Sequence, residues 1–274
     1  MAHKLTGHII DTLIEERAPK LAALPIWPVI RVALFAHLNY RRAVTMADAI
    51  APLDGIAAME SISQLLDVRT QTSGFEHIPR AGRCIIIANH PTGIADGIAA
   101  WDAIKTIRPD LMFYANADAH RVCAGFSEVL IPVEWETHKR TREKTRDTLR
   151  QTQEAFEQER ALFIFPAGRL ARRKNGVLTE PNWMSSAVAL ARKYQAPIIP
   201  IYITGPNSFW FHFFAAFSSE LRDITLFKEL LNKKHQLFTF VAGPAVAPDA
   251  LGGDAQVVTD QLKHLVTLEM AGTN

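Results

Sequence analysis

Cysteine is scarce in this 274-residue chain: Cys84 and Cys123 stand alone and form neither a metal-type nor a redox pair motif. Reduced thiols and a cytosolic setting are therefore expected. Charge of one sign is lacking too, because 30 Lys+Arg face 28 Asp+Glu for a net +2. That balance argues against a nucleic-acid binder that coats phosphates over a wide face. Met1 to Lys20 carries Asp11, Glu15 and Glu16 and lacks an uninterrupted apolar core, so no secretory leader is expected. The greasiest stretch, Leu21 to Tyr40, is interrupted by Pro25, Pro28, Arg31 and His37. A spanning helix wants about 20 mostly uncharged apolar residues, so this one is not expected to cross a bilayer.

Two readings of that stretch stay open. Leu24, Ile26, Trp27, Val29, Ile30, Leu34, Phe35 and Leu38 supply bulk for lying on a membrane, with Arg31, Arg41 and Arg42 placed to meet anionic headgroups. The same pattern suits an amphipathic helix packed on the main domain.

What is present describes a folded protein. Hydrophobic residues make up 48% and charged residues 21%, and the length allows a sizeable core. Residues 1 to 75 read as three helices without a strand run: Leu5 to Arg17, Trp27 to His37 or beyond, and Ala47 to Leu66. With no Gly/Ser-rich linker and no internal repeat, they are expected to be a helical extension rather than an independent domain. From residue 76 to 274, short apolar runs alternate with helical stretches. Cys84 to Ala88 is compact and rich in β-branched isoleucine, as a strand buried on both faces should be. Leu111–Tyr114, Val129–Val133, Ala161–Phe165, Pro197–Ile203 and Leu237–Val241 are further strand candidates. Helical spacing falls between them at Gly97–Ile107, Arg140–Glu159 and Trp183–Tyr194. The expected fold class is α/β, with a mixed, largely parallel central sheet flanked by helices.

The most informative segment is Ala88-Asn89-His90-Pro91-Thr92-Gly93-Ile94-Ala95-Asp96-Gly97, which follows a strand and precedes a helix. Sheets of this class expose reactive groups at the carboxyl ends of their strands. Imidazole takes a proton near neutral pH, and a carboxylate on its far nitrogen orients it. Gly93 and Gly97 would let the loop curl so that His90 and Asp96 meet. On spacing alone, a turn histidine and a helix-capping aspartate fit equally well.

Asn89-His90 with Asp96-Gly97 resembles the first motif of the glycerolipid acyltransferase superfamily, the lysophosphatidic acid acyltransferase-like proteins. The five residues between His90 and Asp96 are more similar to its hemolysin-like branch, which includes ornithine-lipid N-acyltransferases. Phe165-Pro166-Ala167-Gly168-Arg169 resembles a second block, with Ala167 where the better-known branch has glutamate. Pro197-Ile198-Ile199-Pro200-Ile201-Tyr202-Ile203 resembles a third. Ser219 to Arg222 and Leu230 to Lys234 look like the C-terminal portion of the branch, so the likeness runs over roughly residues 30 to 250.

The resemblance implies an enzyme that moves an acyl group from an acyl carrier protein or coenzyme A thioester to an amine or hydroxyl of a polar lipid or lysolipid. No cofactor is implied beyond that co-substrate. His90 becomes the general base and Asp96 its orienting carboxylate. Asn89, Gly93, Phe165, Pro166, Gly168, Arg169, Arg172 and Arg173 become substrate-binding candidates, the arginines for a phosphate. Backbone N–H groups near Gly93 or beside Gly168 are the candidate oxyanion donors. A cytoplasmic enzyme held peripherally at the inner face of the membrane is expected, with no nucleic-acid partner. The five-residue spacing and Ala167 favour an amine acceptor or an unusual lysolipid; 1-acylglycerol-3-phosphate O-acylation is the alternative acyl transfer.

Other features have more than one reading. The basic start of the helix at Lys139, Arg140, Arg142, Lys144, Arg146 and Arg150 suits either a solvated face or an acidic carrier protein. The aromatic run Phe209-Trp210-Phe211-His212-Phe213-Phe214 suits core packing, an acyl tunnel or the membrane interface. Asp118 and His120 raise a metal site, and no metal is expected on two ligands. Cys84, Cys123 and Ser127 are assigned no covalent role. A non-catalytic membrane-binding protein and a metal-dependent hydrolase are the competing classes.

Overall fold

A computed structural model describes residues 7–134, 140–174, 177–206, 220 and 224–273. The aromatic run at Phe209 to Phe214, and Ser219, Leu221 and Arg222, lie outside the described residues. The chain opens with helices α1 (Ile9–Arg17), α2 (Pro19–Ala22), α3 (Trp27–His37), α4 (Tyr40–Ile50) and α5 (Gly55–Leu66). Strands β1 (Arg69–Ser73) and β2 (Cys84–Ala88) follow, then α6 (Ile94–Ile104), β3 (Met112–Asn116), α7 (Asp118–Val122), β4 (Leu130–Val133), α8 (Arg142–Glu157) and β5 (Ala161–Ile164). The remainder holds β6 (Arg172–Lys174), β7 (Val177–Thr179), α9 (Ser186–Tyr194), β8 (Ile198–Thr204), α10 (Leu226–Leu231), β9 (Leu237–Ala242) and α11 (Ala255–His264).

Among the described residues, seven strands form one sheet in the order β1-β9-β8-β2-β5-β3-β4. Five neighbours, β8 through β4, run parallel; β9 pairs antiparallel to β8 and carries β1 parallel to itself. The strand residues alternate between two cores. Cys84, Ile86, Ala88, Ala161, Phe163 and Phe165 join the helical N-terminus, α6 and α10 on one face. Ile85, Ile87, Leu162 and Ile164 join α8, α9 and α11 on the other. A strand covered on both faces has no polar side to show, which explains the unbroken apolar run of β2.

Two expectations change here. Residues 1–75 are not purely helical, because Arg69–Ser73 is a sheet strand paired with β9. All five of its residues are exposed, so no apolar alternation announced it. The expected helix Ala47–Leu66 is two helices, parted where Asp54 accepts a hydrogen bond from the Ala57 N–H at 2.7 Å and caps α5. This N-cap geometry starts a new helix rather than continuing the old one. Arg172–Lys174, which includes two of the phosphate-binding candidates, is a strand paired with β7 in an antiparallel hairpin.

At the amino end of the sheet, Arg108 is 1% exposed. Its guanidinium meets Asp110 at 2.8 and 2.6 Å and donates to the carbonyls of Pro79, Gly82 and Glu159. It ties the loops beneath β2 and β5, and leaves the carboxyl end of the sheet to the chemistry.

Candidate active site

The central strand β2 ends at Ala88, and Asn89 and His90 leave the sheet from its carboxyl end. Asn89 is buried, and its side-chain amide grips β8: Nδ2 donates to the Ile203 carbonyl at 2.8 Å and Oδ1 accepts from the Ile203 N–H at 2.7 Å. Both polar ends of this substrate-binding candidate thus also have a structural task. It anchors the strand end that carries His90.

The loop then turns through Gly93 at φ 110° and ψ −146°, a conformation essentially reserved for glycine. Gly97 lies inside α6 and takes no part in the turn. The turn brings Asp96 back to His90, with Nδ1 and Oδ2 2.9 Å apart. Asp96 is fully buried and accepts three more hydrogen bonds, from the Thr92 N–H at 2.9 Å, the Thr92 hydroxyl at 2.5 Å and the Gly93 N–H at 3.1 Å. A carboxylate that only accepts places the shared proton on Nδ1 of His90. Nε2 then carries the lone pair, and the histidine side chain remains 17% exposed. One aspartate thus both caps the turn and orients the imidazole.

The block at the end of β5 supports this ring. Phe165 stacks on the imidazole with centroids 4.0 Å apart. Pro166 is buried, and its carbonyl accepts from the Met184 N–H at 2.9 Å. Gly168 turns at φ 59° while its N–H donates to the Phe165 carbonyl at 2.9 Å. Arg169, on the rim just beyond, is exposed. The side chains of Arg172 and Arg173 lie outside the described residues; their backbone forms β6. Of the N–H groups around the expected oxyanion donors, those of Thr92 and Gly93 serve Asp96 and that of Gly168 closes its own turn.

Sequence reading missed Glu180. Its Oε1 accepts the His90 N–H at 2.8 Å, and its Oε2 accepts the Trp183 indole N–H at 3.3 Å. Burial raises its pKa above the usual carboxylate value, against the lowering effect of its bond to the His90 N–H. A lone glutamate between Thr179 and Pro181, ninety residues from His90, carries no local signal of this contact.

The competing chemistries find less support. Asp118 pairs with Arg17 at 3.1 Å and Arg121 at 3.2 Å, and burial lowers the pKa of His120. Among the described residues, no three metal-type ligands gather. Both cysteines are buried free thiols, and burial pushes Cys84 up to about 11.

A buried Asp–His pair at the carboxyl end of a parallel sheet is a proton-transfer device that many enzymes share, so the family rests on comparison. A family model described as Acyltransferase matches residues 69–204. Lyso-glycine lipid O-acyltransferase of Phocaeicola vulgatus is 25% identical over 199 residues, covering 70% of this chain and 69% of that protein. Its counterpart from Bacteroides thetaiotaomicron is 22% identical, over 70% and 71% of the two chains. The crystal structure of the 1-acyl-sn-glycerophosphate (LPA) acyltransferase PlsC from Thermotoga maritima shares the fold, with a TM-score of 0.50 at 14% identity over 97% of this chain and 96% of that one. The matched span holds the His90 loop, the Phe165 block and β8 together, and this chain is an acyltransferase of the glycerolipid acyltransferase superfamily.

Proposed function

We propose that the protein esterifies the hydroxyl of a polar lysolipid, taking a fatty acyl group from an acyl carrier protein or coenzyme A thioester. The observation that carries this reading is the 2.9 Å contact of His90 Nδ1 with a buried Asp96, which leaves Nε2 as the proton acceptor. His90 removes the hydroxyl proton as the oxygen attacks the thioester carbonyl. The tetrahedral adduct collapses, the C–S bond breaks, and the imidazolium returns its proton to the departing sulfur. Asp96 holds the tautomer and stabilises the imidazolium between the two transfers.

A hydroxyl acceptor is favoured over an amine because the two curated relatives carry out O-acylation of a lyso-glycine lipid. The donor side is supported by the basic start of α8, where Arg140, Arg142 and Arg146 line a groove with Leu149. Such a surface suits an acidic carrier protein. Attachment to the inner face of the membrane is supported by the turn before α3 and the outer side of that helix. Ile26, Val29 and Val32 are 60, 75 and 71% exposed there, with Arg41 and Arg42 exposed nearby in sequence. Aliphatic side chains beside arginines match an interfacial layer of anionic lipid.

The test is a purified-enzyme assay with labelled acyl carrier protein or acyl-coenzyme A, and lyso-glycine lipid, lysophosphatidic acid or an amine lipid as acceptor. An ester product is expected by mass spectrometry, and an exclusively amide-linked product would refute the hydroxyl reading. Replacing His90 with Ala should lower turnover by about 10²–10⁴-fold while the fold survives. Near-normal turnover of that variant would refute the base.

A further inference from the structure

A general base must be aimed by its main chain as well as by its side chain. Both peptide groups of His90 are held by one stretch of chain. Its carbonyl accepts from the Ala171 N–H at 3.0 Å, and its N–H donates to Glu180 at 2.8 Å. Between those two anchors run β6 and β7, so the ends of a single hairpin clamp the base. Glu180 is braced in turn. Its second oxygen meets the indole N–H of Trp183, a ring that is 2% exposed in the core, and the Trp183 carbonyl accepts from Gln256 on α11 at 3.0 Å.

The geometry points to Glu180 as a positioning residue for acyl transfer: its oxygen fixes the peptide of His90, and its negative charge stabilises the imidazolium formed during the reaction. This rests on His90 as the base. Both Glu180 oxygens face N–H donors, which suits the acceptor-only, ionised carboxylate. A glutamine would satisfy the same hydrogen bond to His90 without placing a charge in a half-dry site. Burial opposes that charge, so the carboxylate is an unfavourable choice for a turn and a favourable one beside a cation that appears in the transition state. No proton passes through Glu180; the proton travels from the acceptor hydroxyl to Nε2 of His90 and on to the thiolate sulfur.

The titratable and charged groups on the elements packed against His90 are Asp96 on α6, Glu180, and Arg169, Arg172, Arg173 and Lys174 on the turn and β6. The basic ones keep their charge through the neutral range, so a moved acidic limb of the rate profile reports on the carboxylates.

Full-length Glu180→Gln and Glu180→Ala are to be compared with wild type and with His90→Ala, reading kcat, KM, thermal midpoint and the pH profile of kcat/KM. Glu180→Gln should fold normally and keep its KM, with the acidic limb moved about 0.5–1 pH unit lower, because loss of a nearby negative charge disfavours imidazolium. Glu180→Ala should lower kcat by about 10²-fold through misplacement of the base, again with little change in KM. Wild-type kcat and an unmoved limb in both variants would overturn the inference. So would an equal loss in both, tracking a lowered thermal midpoint with no movement of the limb, which is the mark of a merely structural role. If His90→Ala is dead and the Glu180 variants behave as wild type, only Glu180 fails; an active His90→Ala overturns both readings.

Discussion

In the proposed mechanism the chemistry depends on which ring nitrogen of His90 holds the proton, and Asp96 would set that through one 2.9 Å contact. Asp96→Asn keeps the shape and removes the charge, so kcat should fall by roughly 10⁴-fold where an aspartate orients a histidine base. Its lost caps on Thr92 and Gly93 should cost only about 1 kcal/mol of stability. Parallel kinetics and thermal melts check this; a stability loss large enough to explain the rate loss would demote Asp96 to a cap. Both residues were legible in sequence because six positions of chain confine them to one turn. Phe165, a substrate-binding candidate by sequence, lies against the imidazole. Asn89 likewise turned out to hold β8. A motif marks where residues gather, and side-chain partners from other strands decide which of them face the ligand.

At the scale of elements, the site is a turn between β2 and α6 laid against a hairpin. Gly93 makes the turn possible. A Cβ at that position would meet Leu170 Cδ1 no closer than 3.6 Å, so space is adequate and φ of 110° is the obstacle. Gly93→Ala should therefore lose about 1–3 kcal/mol of stability and most of its activity, as backbone strain displaces Asp96. Thermal unfolding with initial rates measures it, and wild-type values in both would show that the turn tolerates a side chain. The strands β2, β5 and β8 were readable because burial on both faces leaves long apolar runs. The strand β1 was not, since an exposed polar edge obeys no such pattern. The strands of the β6–β7 hairpin, three residues each, are too short for either pattern to show.

Over the whole molecule, the N-terminal helices divide their apolar residues between the core and the surface. Trp27 and Leu38 are buried in the core shared with the sheet. Ile26, Val29 and Val32 point away from it. The packed reading thus holds for one side of this stretch, and the opposite side is the one proposed to meet a membrane. No described helix is long and apolar enough to cross a membrane. Val29→Asp with Val32→Asp should weaken sedimentation with anionic phospholipid vesicles by at least about tenfold, given some 1.5–3 kcal/mol per buried aliphatic side chain. Turnover of a water-soluble short-chain acceptor should be unaffected. Undiminished vesicle binding would sink the membrane reading of this face.

Sequence alone determined the layered α/β fold and put His90 within reach of Asp96, because alternating burial and short covalent spacing act within a few residues of chain. Tertiary structure decided the rest. The Glu180 clamp joins His90 to a residue ninety positions away, the polar edge strand β1 exists only through its pairing with β9, and the exposed side of α3 is defined by what the sheet leaves uncovered. Such contacts follow from how distant segments pack, a matter on which local residue pattern places almost no constraint.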